Sequence, residues 1–227
     1  MDFYHLCNRG VDKRDIFLDD QDYLRFVHDL FEFNDEHATP SINTYNFVKS
    51  LDIGRPNMTM PRRKPRKLLV NLHCFALMPN HYHLLVSPLT ENAIPLFMKK
   101  LNMGYAKYFN ERYERSGALF QGKYRKVLVE RDAHFLYLPY YIHFNPLDLA
   151  LPEWRGKRLR SIKNAMDFLD AYRWSSHQDY LGMKNLPSLT QRDFLLQHFG
   201  GSDGYRASAK EMLGAMDSHL LPPEKFD

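Results

Sequence analysis

Apolar and polar positions fall into blocks whose period changes along the chain, and each block predicts an element. Residues 3–9 (FYHLCNR) read as a short strand that stops at Gly10. Asp19 and Asp20 then offer side-chain caps to a helix in which Tyr23, Leu24, Val27, Leu30 and Phe31 line one face. Over 35–67 the periodicity fades and prolines interrupt, which predicts a long loop. Two apolar runs follow, LLVNLHCFALM (68–78) and HYHLLVS (81–87), joined by a Met-Pro-Asn turn as in a hairpin. Ile94, Phe97, Met98, Leu101, Tyr105, Tyr108 and Phe109 then recur at spacings of three and four, the mark of an amphipathic helix over 92–113. Residues 118–130 predict another strand, and Asp132 starts a helix through Ile142 that closes at Asn145-Pro146.

The resulting order, β-α-β-β-α-β-α with a hairpin in the middle, predicts an α+β fold. It matches a ferredoxin-like split βαβ core, an antiparallel sheet with helices mainly on one face. Residues 147–227 add helical pieces separated at Pro187 and Gly200-Gly201, a helical C-terminal extension without any internal repeat.

Composition narrows the picture. With 227 residues, 44% hydrophobic and 14% aromatic, the chain buries a substantial core and is not globally disordered. No run approaches the roughly 20 apolar residues of a membrane span. The start, Met1-Asp2-Phe3-Tyr4-His5, lacks the pattern of a signal peptide, and Cys7 and Cys74 provide no disulfide framework. A cytoplasmic protein with no membrane partner is expected.

The net charge of +4 says little, but its distribution says more. Arg62, Arg63, Lys64, Arg66 and Lys67 belong to a basic run without an acid, 55–67, inside the predicted loop. Arg155, Lys157, Arg158 and Arg160 form a second cluster, and Lys123, Arg125 and Lys126 a third on the predicted strand. Clustered cations attract phosphate chains and release their counterions. Each cluster alone is equally well a solvated basic loop; clusters flanking a candidate site point to nucleic acid.

His81-Tyr82-His83 supplies the first chemistry. On a strand, residues i and i+2 face the same way, so both imidazoles project from one face and can chelate a divalent cation. In a chain with 11 histidines the spacing alone is weak, and two strand histidines bonded to backbone would look the same. Tyr140-Tyr141-Ile142-His143-Phe144-Asn145-Pro146 is the second constellation. A phenol, with a pKa of about 10, becomes a competent nucleophile when a cation stabilises its anion, so a metal beside a tyrosine means more than either alone. Gly117 to Lys123 nearly spells a phosphate-binding loop, but Tyr124 stands where Ser or Thr would hold Mg²⁺ and a strand follows instead of a helix. His73-Cys74 is a poor addition to the histidine pair, since adjacent strand residues point to opposite faces.

Taken together, MPNHYHLL (78–85), LNMGYAKYFNERYERSGALFQGKYRKVLVE (101–130), YYIHFNP (140–146) and YRWSSHQDYLG (172–182) resemble the REP-associated tyrosine transposases. These are single-tyrosine HUH transposases, related to the smallest bacterial insertion-sequence enzymes. YHLCNRG and DIFLDDQDYLRF are similar to the family's opening, so the resemblance covers residues 3–182. It implies a transposase-like domain over 1–182, including the basic loop at 35–67, and a helical tail of unassigned role over 183–227.

The resemblance also implies roles. His81 and His83 would be metal ligands for Mg²⁺ or Mn²⁺, Tyr141 the nucleophile, and Asn145 a third ligand one helical turn on. Two imidazoles suit Mn²⁺ better than a usual Mg²⁺ shell. Single-stranded DNA beside a hairpin would be cut and rejoined through a 5′-phosphotyrosine, by a homodimer or a monomer. Pro139 departs from the family inside the catalytic helix, where it removes one backbone hydrogen bond and leaves Tyr140 as an alternative nucleophile. Asp148 departs from it where relatives carry a basic residue. A DNA-hairpin binder that does not cut, and a metal-dependent nuclease using water, are the alternatives.

Overall fold

The computed structural model describes residues 2–37, 65–130, 132–156 and 159–215. Its sheet is built from β1 (Tyr4–Arg9), β2 (Val70–Met78), β3 (His81–Pro88) and β4 (Arg125–Leu128), in the order β2-β3-β1-β4 with every neighbouring pair antiparallel. With α1 (Asp20–Glu32) between β1 and β2, and α2 (Ala93–Arg112) between β3 and β4, this is the expected ferredoxin-like order.

Local chemistry accounts for most boundaries. The Asp19 side chain accepts from the Gln21 and Asp22 amides and so starts α1. Phe26 takes the inner position there; Leu24, expected inside, is 40% exposed. The strand expected over 118–130 is regular only at Arg125–Leu128, and the preceding Gly117–Tyr124 stretch is irregular. The near phosphate-binding loop there has no helix to aim at a phosphate.

Alternation along the strands divides the sheet into two faces. Leu6, Tyr82, Leu84 and Val86 pack with Tyr23, Phe26 and Leu30 of α1 and Phe97, Leu101 and Tyr105 of α2. The two helices of the split βαβ core therefore share a face, and the one-sided layout applies to this pair. Over the opposite face lies α3 (Asp132–Phe144), whose Leu138, Tyr140, Tyr141 and Ile142 pack with Cys74, Ala76 and Leu85.

The C-terminal extension covers α3 in turn. It comprises α4 (Ile162–Ala171), α5 (His177–Tyr180), α6 (Asp193–His198) and α7 (Gly201–Ala215). Tyr180, Leu195, Tyr205, Ala209 and Leu213 belong to the same buried cluster as Tyr140 and Tyr141. Just before α5 the chain also pairs with the outer edge of β2: Leu77 N–H donates to Trp174 O (2.9 Å), and Ser176 N–H donates to Phe75 O (3.0 Å). Those bonds occupy an edge that would otherwise present unpaired backbone. Among the described residues, no helix is long and apolar enough to cross a membrane.

Candidate active site

The face beneath α3 carries the histidines. In the β1–β3 register Cys7 lies opposite His83 and Arg9 opposite His81, and in the β1–β4 register Cys7 lies opposite Arg125. Cross-strand partners share a face, as do residues two apart, so His5, Cys7, Arg9, His81, His83 and Arg125 all project from the same side. The His81 and His83 rings are 5.0 Å apart and nearly perpendicular. Tyr82 points the other way, fully buried, and donates to Asn102 Oδ1 at 2.5 Å.

His5 joins this pair although no sequence motif singles it out. Its Nε2 lies 2.9 Å from His83 Nδ1, a hydrogen bond between buried imidazoles. The signal was available only through register, because 78 residues separate the two. Burial, with His81, His5 and Arg155 nearby, holds His83 well below the ordinary histidine pKa, so its imidazole is neutral. His81 Nδ1 is 2.6 Å from Asn80 Oδ1; since a carboxamide oxygen only accepts, Nδ1 carries a proton.

From above, α3 lowers Tyr141 onto this face. Its ring centroid is 6.0 Å from that of His83 and 6.2 Å from that of His5, both edge-on. Tyr140 goes elsewhere: it stacks on Tyr205 and packs against Phe199 in the C-terminal extension, and burial raises its pKa to about 12. The helix runs unbroken through Pro139, so the register that brings Tyr141 to the histidines is kept.

Asn145 follows at the start of the 3-10 turn Asn145–Leu149, one turn beyond Tyr141. Its Nδ2 donates to Tyr141 O (2.8 Å), and its Oδ1 accepts from Arg155 Nη2 (3.0 Å). Arg155 also hydrogen-bonds the Tyr141 side chain, its guanidinium carbon 5.7 Å from that ring. Asp148 seats the guanidinium: Nε and Nη2 donate to its carboxylate at 2.8 and 2.6 Å. Trp154 lies against the same guanidinium and donates its indole N–H to Asp148 (2.6 Å). Asp148 thus draws in a cation from seven residues away, where relatives are expected to carry one in its place.

The donor set fits a divalent ion in kind. Two imidazoles, of which burial keeps His83 neutral, and one amide oxygen lie about Tyr141, and His81 turns Nδ1 towards Asn80. Among the described residues no three His, Cys, Asp or Glu side chains form a ready-made metal cluster. His73 is no candidate, being bonded to Gln191 O and Ser87 Oγ.

The basic residues separate. Arg125 lies exposed on the histidine face, whereas Lys126, one residue on, lies over the Tyr4 ring (4.8 Å) on the opposite face. Lys123 and Arg160 are exposed. Arg66 is tied into the fold, donating to Phe31 O and Asn34 O with its guanidinium over the Phe31 ring, and Lys67 pairs with Glu36. Both side chains therefore have partners within the fold. Arg62, Arg63, Lys64, Lys157 and Arg158 lie outside the described residues.

Residues 58–145 match the model of the IS200-like transposase family, a segment that contains His81, His83, Tyr141 and Asn145. No curated protein matches the chain. Among solved structures the chain is similar to a REP-associated tyrosine transposase bound to a REP hairpin. Identity is 9%, the match covers 82% of this chain and 83% of that one, and the TM-score is 0.45.

Proposed function

For a chain related over residues 58–145 to the IS200-like transposases, we propose cleavage and rejoining of single-stranded DNA beside hairpins, with Tyr141 as nucleophile. The observation that carries this reading is the position of Tyr141. Of the two adjacent tyrosines it alone meets the imidazoles and a guanidinium, while Tyr140 is packed into the extension.

Attack forms the Tyr141 Oη–P bond and breaks the P–O3′ bond, leaving a 5′-phosphotyrosine and a 3′-hydroxyl. The proton lost by the phenol is balanced by the one gained at the leaving oxygen. Because a phosphodiester is exchanged for a phosphodiester, rejoining needs no nucleotide triphosphate. His81, His83 and Asn145 would hold Mg²⁺ or Mn²⁺, which when bound supplies Lewis-acid polarisation of the scissile phosphate. Arg125, Lys123 and Arg160 would contact the backbone, and single-stranded substrate spares the site from opening a duplex.

A hairpin binder that does not cut is the second reading. It is favoured by the burial of Tyr141, which is 1% exposed, and by the engagement of Asn145 Oδ1 with Arg155. The deciding experiment incubates the protein and Mn²⁺ with a pool of labelled single-stranded oligonucleotides, each a hairpin with randomised flanks, on denaturing gels. The expected result is a protein-linked band lost in Tyr141→Phe and kept in Tyr140→Phe. Hairpin binding without any cleavage would favour the binder, and cleavage without an adduct would mean that water attacks.

A further inference from the structure

Resting on Tyr141 as nucleophile, we propose that Arg155 is a catalytic residue of the cleavage step and that Asp148 is its positioning residue. By sequence Arg155 belongs to a basic cluster, one expected phosphate contact among several. Its surroundings are unlike those of the others. Lys123, Arg125 and Arg160 are exposed, whereas Arg155 reaches inward to the Tyr141 side chain and to Asn145 Oδ1. An arginine that only tracked a DNA backbone would gain nothing from touching the nucleophile.

The seating is built with some redundancy. Asp148 binds Nε and Nη2 side-on, Trp154 flanks the guanidinium at 4.7 Å, and the Trp154 indole N–H fixes the Asp148 carboxylate. A planar guanidinium gripped in this way has little freedom left to lose when the substrate arrives. Its side chain is still 27% exposed, so the guanidinium that meets Tyr141 is not sealed from solvent.

In the transition state the Tyr141 Oη–P bond is forming and the P–O3′ bond is breaking. Negative charge then spreads over the phenol oxygen and the non-bridging phosphate oxygens. Donors already aimed at such charge need no reorganisation at the moment of reaction. The phenol proton still passes, in net, to the leaving 3′-oxygen; arginine accepts none.

Asp148 gives the proposal a test of sign. If Arg155 were only a phosphate anchor, removing the negative charge of Asp148 beside it would strengthen DNA binding and leave cleavage as fast or faster. If Asp148 positions a catalytic guanidinium, Asp148→Asn slows cleavage while DNA affinity holds or rises. The two readings predict opposite changes in rate.

The experiment measures single-turnover adduct formation at saturating protein, and affinity separately by filter binding in Ca²⁺, with the hairpin oligonucleotide pool. Arg155→Gln is expected to lower the adduct rate by about 10²–10³-fold, the usual effect of losing one transition-state donor. Affinity should change less than about threefold, and Arg155→Lys should recover part of the rate by restoring charge without the fork. Asp148→Asn should lower the rate about tenfold, and melting curves would verify that each variant folds. Wild-type rate in Arg155→Gln, slowing matched by lost affinity, or faster cleavage in Asp148→Asn would each overturn the proposal. Absence of a wild-type adduct, or its survival in Tyr141→Phe, would instead overturn the reading of Tyr141 beneath it.

Discussion

Tyr205 stacks on Tyr140, their ring centroids 5.1 Å apart and their planes 8° from parallel. That contact joins α7 of the extension to the residue beside the proposed nucleophile. The Tyr205 hydroxyl also lies 2.7 Å from His143 Nδ1 and 2.8 Å from His177 Nδ1, donating to one and accepting from the other. His177 continues to Asp170 (3.1 Å), which Arg206 also binds (3.0 Å). The tail holds the roof of the site through one buried aromatic and its hydroxyl.

Two substitutions separate those contributions. Tyr205→Phe keeps the stack and leaves two buried imidazoles short of a partner, at a cost of about 1–3 kcal/mol. Tyr205→Ala removes the ring as well and is expected to cost about 3–5 kcal/mol. Urea denaturation monitored by circular dichroism would measure both. Equal, small losses would mean that the extension does not support α3.

Metal affinity can be read without DNA. Calorimetric titration with Mn²⁺ should show binding that His81→Ala weakens at least tenfold and Tyr141→Phe leaves unchanged. EDTA should abolish the protein-linked band yet spare hairpin binding. Undiminished Mn²⁺ binding by His81→Ala would remove the histidine pair from the proposed site.

Much of this arrangement was legible in the sequence, for identifiable reasons. Period-two alternation in HYHLLVS was enough to put His81 and His83 on one face and Tyr82 on the other. Asp19 announced the start of α1, and the three-four spacing announced α2. What escaped was contact between distant segments. His5 meets His83 only once β1 inserts beside β3, and a lone strand histidine carries no mark of that. Arg155 looked like its basic neighbours, because nothing local tells a cation gripped by Asp148 from a solvated one. The role of the tail was hidden for another reason: α3 is buried all round from Tyr137 to Phe144, so it shows no apolar stripe to predict a second covering layer.

Stability of the opposite face should hinge on Asp22. This fully buried carboxylate accepts from Leu18 N–H (2.8 Å), Tyr113 Oη (2.8 Å), Tyr108 Oη (2.9 Å) and Arg112 Nη1 (2.7 Å), tying α1 to the end of α2. Asp22→Ala leaves four donors, the Arg112 cation among them, without this acceptor, and about 3–5 kcal/mol is the expected cost. Because the cluster lies across the sheet from the histidines, adduct formation per folded molecule should not change. A loss under about 1 kcal/mol would mean that water replaces the carboxylate.

Acid should destabilise the fold earlier than its carboxylates alone would require. His73 is buried between Gln191 O and Ser87 Oγ, and desolvation lowers its pKa from 6.5 to about 4. Its Nδ1–H donates to the carbonyl and its Nε2 accepts from the serine hydroxyl, so the folded site suits the neutral ring. The unfolded chain takes up a proton below about pH 6.5 that the folded chain refuses until about pH 4. This contribution is therefore fully present above pH 6.5 and is lost progressively as the pH falls towards 4. A shift of that size corresponds to on the order of 3 kcal/mol. Burial lowers His143 and His177 as well, which adds to the loss in the same direction. Asp170, held low mainly by its hydrogen bond with His177, adds stability that is fully present above the ordinary carboxylate range and is lost only as the pH falls below it. Urea midpoints at pH 7.5, 6 and 5 should fall steadily in the wild type and less steeply in His73→Asn. A wild-type midpoint unchanged between pH 7.5 and 5 would show that these imidazoles are protonated in the folded state, and that the neutral network around Tyr205 and Ser87 is wrong.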